Sequence, residues 1–227
     1  MKREIRITSD GSTTIHLPDW NEQYHSKHGA IQEAYHVFIK HGLEAVLVPK
    51  ISILEIGFGT ALNCFITLLE AQKKSLIIDY VGVEAYPVTE EEVLRLNYVS
   101  ELKAVESQSL FEAMHQCSWE EKKEISCNFH LLKRQQFFQD INDENEFDLV
   151  YFDAFGAEHQ PHLWTAIIFK KMFNALKING ILVTYSAKGS VRRALQEVGF
   201  VVERLPGPPG KREMLRATKV ISNIQRS

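Results

Sequence analysis

Three carboxylates stand at the ends of apolar runs in this chain of 227 residues: Glu55 in ILEIGFGTALN (53–63), Glu84 closing LIIDYVGVE (76–84) and Asp153 closing FDLVYFD (147–153). Gly57 and Gly59 follow Glu55, and Asn63 lies one helical turn further on. A strand that breaks into a glycine turn and then a helix is a ligand cradle, and the residue types narrow the ligand. A nucleotide phosphate loop needs GxxxxGK[ST], and no lysine follows these glycines. A dinucleotide fingerprint places a third glycine at position 62, where this chain has Leu62. A pyrophosphate seeks the positive N-terminus of a helix, and a carboxylate at Glu55 would repel it. S-adenosylmethionine has no phosphate and carries a sulfonium and an ammonium, both favoured by nearby carboxylates. Glu84 suits ribose hydroxyls in either class of ligand and does not discriminate. The competing reading is a bare turn in which the glycines supply only backbone freedom; it leaves the acid without a purpose.

Asp153 opens a loop, DAFGAEHQPHLW, that holds Phe155, His159, His162 and Trp164. In an open parallel sheet, ligands bind beyond the carboxyl ends of the strands, so Glu55, Glu84 and Asp153 are expected on one rim. The loop aromatics then enclose a flat substrate, although Phe155 and Trp164 fit equally well as core residues. Asp148, at the other end of its strand, reads as a surface or capping residue.

These residues need a sheet to align them, and the pattern supplies one. Apolar runs at 51–56, 76–84, 127–132, 147–153 and 180–186 alternate with helical stretches at 60–72, 89–113 with a break, 135–141 and 162–176. Near-continuous apolar strands separated by helices predict a parallel sheet covered on both faces. A further helix at about 190–198 precedes two strands, FVVERL and REMLRATKV, split by GPPGK, which predicts an antiparallel edge. The fold class is therefore α/β, a Rossmann-like, mostly parallel doubly wound sheet. REIRIT and STTIHL around Asp10-Gly11 predict an N-terminal β-hairpin, followed by a helix at 30–41 stopped by Gly42. One domain is expected, with 1–49 as lead-in, 50–220 as core and 221–227 as tail.

Composition limits the function classes. With 44% hydrophobic and 24% charged residues the chain can bury an ordinary core and remain soluble. No apolar run is long enough for a membrane span, and MKREIRITSDGSTT lacks the apolar centre of a secretory signal. Cys64, Cys117 and Cys127 have no CxxC spacing, which fits reduced thiols in a cytoplasmic protein. The net charge is -3, but 170–227 carry 12 Lys/Arg against 3 Glu. A basic C-terminal quarter on an acidic body predicts an anionic partner on one face. His25-x-x-His28 lacks the partners of a metal site, so no metal is expected.

Several separated motifs together resemble the methyltransferase domain of the MnmC-like tRNA-modification family. DGSTTIHLPDWNEQYHSKHGAIQEAYHVFIKHGL resembles that family's lead-in, ILEIGFGTALN its cofactor loop, DAFGAEHQPHLW its catalytic loop, and VRRALQEVGF with GKREML its C-terminal signature. The resemblance covers most of the chain. It implies methyl transfer from S-adenosylmethionine to the amine of 5-aminomethyl-2-thiouridine at the tRNA wobble position. It also implies a stand-alone methyltransferase without the FAD-dependent oxidase half, so no FAD is expected. Tyr24 and Ala154 join Glu55, Gly57, Gly59, Asn63, Glu84 and Asp153 as the expected cofactor residues. Phe155 and Trp164 are expected at the substrate, and Arg192, Arg193, Lys211 and Arg212 at the phosphates of the anticodon region. The family's Ala-Pro after DAF is Gly156-Ala157 here, which loosens the loop. Its Gly-Asp after the third strand is replaced by Lys133-Arg134-Gln135, leaving Gln135 as the candidate for the adenine.

An alkyl amine has a pKa of about 10, so the reaction must supply it in neutral form. Asp153 is expected to accept its hydrogen bond, orient it and take its proton. The alternatives are methylation of a small-molecule or protein amine, a non-catalytic RNA-binding module with a decayed cofactor site, and a nicotinamide-dependent oxidoreductase. The last is weakened by Glu55 and Leu62. Oligomeric state is not legible.

Overall fold

The computed structural model describes residues 2–220; the expected tail, 221–227, lies outside them. The lead-in begins with β1 (Glu4–Ile7) and β2 (Thr13–Leu17), the expected hairpin, and adds a short β3 (Glu22–Gln23). Together they form a separate antiparallel sheet in the order β1-β2-β3. Helix α1 (Ala30–Ala34) follows and continues as a π-helical turn over Tyr35–Lys40. Val37 and Phe38 of this turn are buried in the same cluster as Phe65, Tyr151 and Val183, which fixes the lead-in to the core.

The core opens with β4 (Lys50–Ile56), α2 (Leu62–Lys74) and β5 (Ile77–Val83). Helix α2 starts at Leu62, later than expected, because Ala61 is left-handed at φ 60°. The stretch expected to be one broken helix is three short ones: α3 (Glu90–Val93), α4 (Tyr98–Glu101) and α5 (Gln108–Gln116). Thr89 and Glu92 form a reciprocal capping box on the first of these.

Strand β6 (Lys122–Ser126) was not legible as a strand, because KKEIS is charged and lies at an edge. It pairs antiparallel with β7 (Phe129–Arg134). The helix expected at 135–141 is corrected to a single 3-10 turn, Phe138–Asp140. Only Phe138 and Ile141 anchor that segment in the core, too little to sustain a short helix. Then come β8 (Phe147–Phe152), α6 (Ala166–Ala175), β9 (Leu176–Thr184), α7 (Gly189–Glu197), β10 (Phe200–Pro206) and β11 (Glu213–Lys219).

The eight core strands run in the order β10-β11-β9-β8-β4-β5-β7-β6. The inner pairs are parallel, whereas β11 with β9, β10 with β11, and β6 with β7 are antiparallel. The sheet thus has an antiparallel edge on both sides. Alternation along β4 sends Ile51 and Ile53 to one core layer with Phe65, and Leu54 and Ile56 to the other with Phe169 and Leu195. The chain leaves β4 for β5 on one side and returns to β8 on the other. The ends of β4, β5 and β8 therefore meet at the topological switch point, where such sheets bind ligands. Among the described residues, no helix is long and apolar enough to cross a membrane.

Candidate active site

The turn after β4 is held by its neighbours. The backbone N–H groups of Gly57 and Phe58 both donate to Val83 O, each at 3.0 Å. Gly57 has φ 91°, and a Cβ there would stand 2.6 Å from Asp153 O. Only glycine lets the end of β4 pass that close to the end of β8. Gly59 N donates to Glu84 Oε2 at 3.1 Å and Tyr86 N to Oε1 at 2.9 Å. The Glu84 carboxylate is thereby fixed at the mouth of a cavity of about 1500 Å³, which Gly57, Gly59, Asn63, Asp153 and Ala154 also line.

Glu55 does not line this cavity, which corrects its expected role. Strand alternation turns it beneath the floor, where it is 1% exposed. There it accepts hydrogen bonds from Tyr80 OH at 2.8 Å and Asn63 Nδ2 at 2.9 Å. Burial pushes its carboxyl well above the usual carboxylate range. Its work is to hold Asn63. The same Asn63 Nδ2 donates to Asp153 Oδ2 at 2.9 Å, and Asn63 Oδ1 is buried without a partner. A buried acceptor in the cavity wall is an unmet demand for an N–H donor.

Asp153 is pushed up to about 7, first by burial and next by the charge of Glu33; the Asn63 hydrogen bond and the Lys211 cation oppose the rise. A carboxylate poised there exchanges a proton at neutral pH. Tyr185, just after β9, donates from its hydroxyl to Ala154 O at 2.8 Å and fixes the backbone next to Asp153.

The lead-in supplies a wall. The Tyr24 ring stands edge-on to Phe155 at 5.0 Å, and a Cβ on Gly59 would meet Tyr24 Cδ1 at 3.2 Å. Trp20 lies edge-on to Phe155 at 5.7 Å and stacks on His159 at 6.0 Å; His159 Nε2 pairs with Glu22 at 3.0 Å. Arg3 straps the lead-in to the loop after β5, donating to Tyr86 O at 2.8 Å, Pro87 O at 3.1 Å and Glu92 Oε2 at 3.1 Å. His25 lies in the wall beside Thr14 at 3.2 Å, and burial lowers it to about 4, so it is a neutral ring.

Other expectations need correction. Trp164 is 5% exposed and packs against Phe152 at 5.0 Å, with its Nε1 donating to Phe155 O at 2.7 Å. It braces the loop from behind instead of facing a substrate. Lys211 lies inside the cavity, ion-paired with Glu33 and 3.9 Å over the Tyr185 ring, so it is not an outer-surface cation. Arg192 and Arg193 lie on α7, outside the cavity, and Arg212 is exposed. Gln135 does not reach the cavity: its backbone N–H donates to Glu120 Oε1 at 2.7 Å. Phe137 and Phe138 occupy that wall instead, with Phe137 6.1 Å from Tyr86. Among the described residues, no group of three or more His, Cys, Asp or Glu is placed to hold a metal.

Sequence reasoning missed Glu33, Tyr185, Arg3 and Trp20. Trp20 and Glu33 lie within the lead-in motif, which pointed to them only as a whole, whereas Arg3 precedes that motif and Tyr185 follows β9, where no motif marks them.

Residues 100–220 match the family model described as S-adenosyl-L-methionine-dependent methyltransferase. A relative from Polaromonas naphthalenivorans, the tRNA 5-methylaminomethyl-2-thiouridine biosynthesis bifunctional protein MnmC, is 28% identical over 237 residues, covering 95% of this chain and 36% of that protein. The chain thus spans about a third of the length of the curated relatives it matches. Among solved structures, MNMC2 from Aquifex aeolicus superposes with a TM-score of 0.73 at 24% identity, covering 96% of this chain and 70% of that one. Spermidine synthase from Thermotoga maritima gives a TM-score of 0.56 at 14% identity, covering 99% and 73%. At these identities both speak for the fold alone.

Proposed function

The chain belongs to the family of S-adenosyl-L-methionine-dependent methyltransferases, and from that premise we propose that it methylates the amine of 5-aminomethyl-2-thiouridine at the wobble position of tRNA. The product is 5-methylaminomethyl-2-thiouridine. The observation that carries this reading is Asp153, pinned by Asn63 between the glycine turn and the aromatic wall, with a carboxyl that titrates at about 7. The name of the MnmC relatives supports the substrate.

The cavity fits the cofactor on its own terms. Gly57 lets the turn after β4 lie against Asp153 O, where a Cβ would collide, Glu84 is fixed for ribose hydroxyls, and the unpartnered Asn63 Oδ1 awaits an N–H donor. Phe137 and Tyr86 offer apolar faces to an adenine. When bound, S-adenosylmethionine supplies an electrophilic methyl group on a sulfonium. The protein's part is to bring a neutral amine to it. Phe155, with Tyr24 and Trp20 behind it, excludes water from the amine, and desolvation favours the uncharged form. Asp153 accepts a hydrogen bond from the amine, orients its lone pair and takes its proton. Arg192, Arg193 and Arg212 are proposed to meet the phosphates of the anticodon region, acting in the cytoplasm. Lead-in and core are proposed to act as one catalytic unit.

Incubation with labelled S-adenosylmethionine and tRNA carrying aminomethyl-thiouridine, followed by nucleoside mass spectrometry, tests this directly. A methylaminomethyl product is expected. Cofactor binding without product would refute the substrate, and absence of both would favour a binding module.

A further inference from the structure

Resting on the methyl-transfer reading, we infer that Glu33 and Lys211 are positioning residues for Asp153: an ion pair inside the cavity that keeps its carboxylate ready for the amine's proton, with no direct role in tRNA binding. The pair is built from distant parts of the chain, 178 residues apart. Glu33 is 8% exposed on α1 and accepts both the Ser26 backbone N–H at 3.0 Å and the Lys211 ammonium. Lys211 comes from the turn between β10 and β11, which is closed by Lys211 N donating to Pro208 O at 2.9 Å. That turn sits so closely against the lead-in that a Cβ on Gly210 would overlap the ring of His28.

The Lys211 ammonium also lies 3.9 Å over the ring of Tyr185, whose hydroxyl holds Ala154 O. A cation fastened by a buried carboxylate and an aromatic face cannot extend to a phosphate without breaking both interactions. It lines the same cavity as Asp153, and the Tyr185 ring beneath it holds the carbonyl next to that residue. The groups around that carboxyl are Asn63 from α2, Glu33 from α1, Lys211 from the β10–β11 turn, Tyr185 after β9, and Glu55 beneath it on β4. Glu33 opposes its ionisation; Lys211 and the Asn63 N–H favour it. The cation also disfavours a second positive charge nearby, and so favours the neutral amine over the ammonium. Asp153 receives the proton the amine releases, and the pair sets the pH at which it can.

The two partners therefore pull in opposite directions, which a structural strut or a phosphate ligand would not do. Asp153's side-chain carboxyl resonance, assigned by its loss in Asp153→Asn, can be followed against pH by carbon-13 NMR in the protein without tRNA. The wild-type midpoint is expected at about 7. Glu33→Gln should lower it and Lys211→Met should raise it, each by about one pH unit. Lys211→Arg should restore it. A midpoint unmoved in both, or moved the same way in both, overturns the inference, as does a Lys211→Met that only flattens the salt dependence of tRNA binding. Wild-type turnover on tRNA, measured in parallel, tests the underlying reading: an inactive wild type refutes that reading while the titration still decides the pair.

Discussion

The two halves of the cavity are made in different ways. The cofactor side is mostly backbone: the turn after β4, the N–H groups that hold Glu84, and glycines at 57 and 59 where a side chain would collide. The side proposed for the amine is mostly side chains brought from far apart: Glu33, Asp153, Tyr185 and Lys211, with Phe155 braced by Trp20 and Tyr24. Backbone cradles tolerate change around them but not within them. Convergent side chains can each be replaced, and each replacement retunes the chemistry.

The largest test of that contrast is Asp153→Asn. It removes the proposed proton acceptor while keeping a polar side chain beside Asn63, so kcat should fall by about 10²–10⁴ with cofactor affinity nearly unchanged. Single-turnover kinetics beside calorimetric binding separates the two; a comparable loss in both would erase the boundary between the halves. Gly57→Ala attacks the other side. Its Cβ would meet Asp153 O at 2.6 Å and its φ of 91° strains any other residue, so cofactor affinity should drop by about tenfold to a hundredfold. Because that oxygen belongs to Asp153, some loss of kcat should follow, a measure of how far the backbone side leaks into the side-chain one.

A third test uses pH. The folded carboxyl of Asp153 titrates at about 7, above the ordinary value of about 3.9 in an unfolded chain. Its burial therefore costs stability when it is charged, above about pH 7, and the cost disappears as pH falls towards 4. Asp153→Asn should be more stable than the wild type at neutral pH, with the gap closing by about 1 kcal/mol per pH unit on acidification. Urea unfolding at a series of pH values measures it, and a constant gap would mean the carboxyl titrates normally. The smallest effect is expected outside the cavity. Replacing Arg192 and Arg193 by Ala should weaken tRNA binding a few-fold and reduce the salt slope by about 0.7 for each phosphate no longer neutralised, leaving kcat at saturating tRNA intact. Filter binding across a salt series reads the slope, and an unchanged slope would place the RNA on another face.

The contrast also explains what could be read from the sequence. The parallel sheet and the glycine turn are legible because both are local: β-period and helix-period patterns mark the layers, and Gly57, Gly59 and Glu84 sit at strand ends. Glu55 was legible as important but not as buried, since a strand-end acid faces the ligand or the core according to strand alternation and a single residue's register. Strand β6 escaped because its residues KKEIS meet water on an open edge. Lys211 stands out in the sequence only by its charge, whereas the fold places it in the cavity against Glu33. Nothing local to GKREML says that its lysine folds back upon an acid in the lead-in. Trp164 read equally well as a substrate platform or a brace, and its hydrogen bond to Phe155 O decides for the brace.

The separation of Glu33 from Lys211 has a consequence in time. Synthesis runs from the N-terminus, so the lead-in and the acids Glu33, Glu84 and Asp153 exist before the final hairpin does. Until β10 and β11 dock, the amine pocket holds its carboxylates without their countercharge. Closing the last hairpin is then the step that brings Lys211 to Glu33 and completes that wall of the cavity.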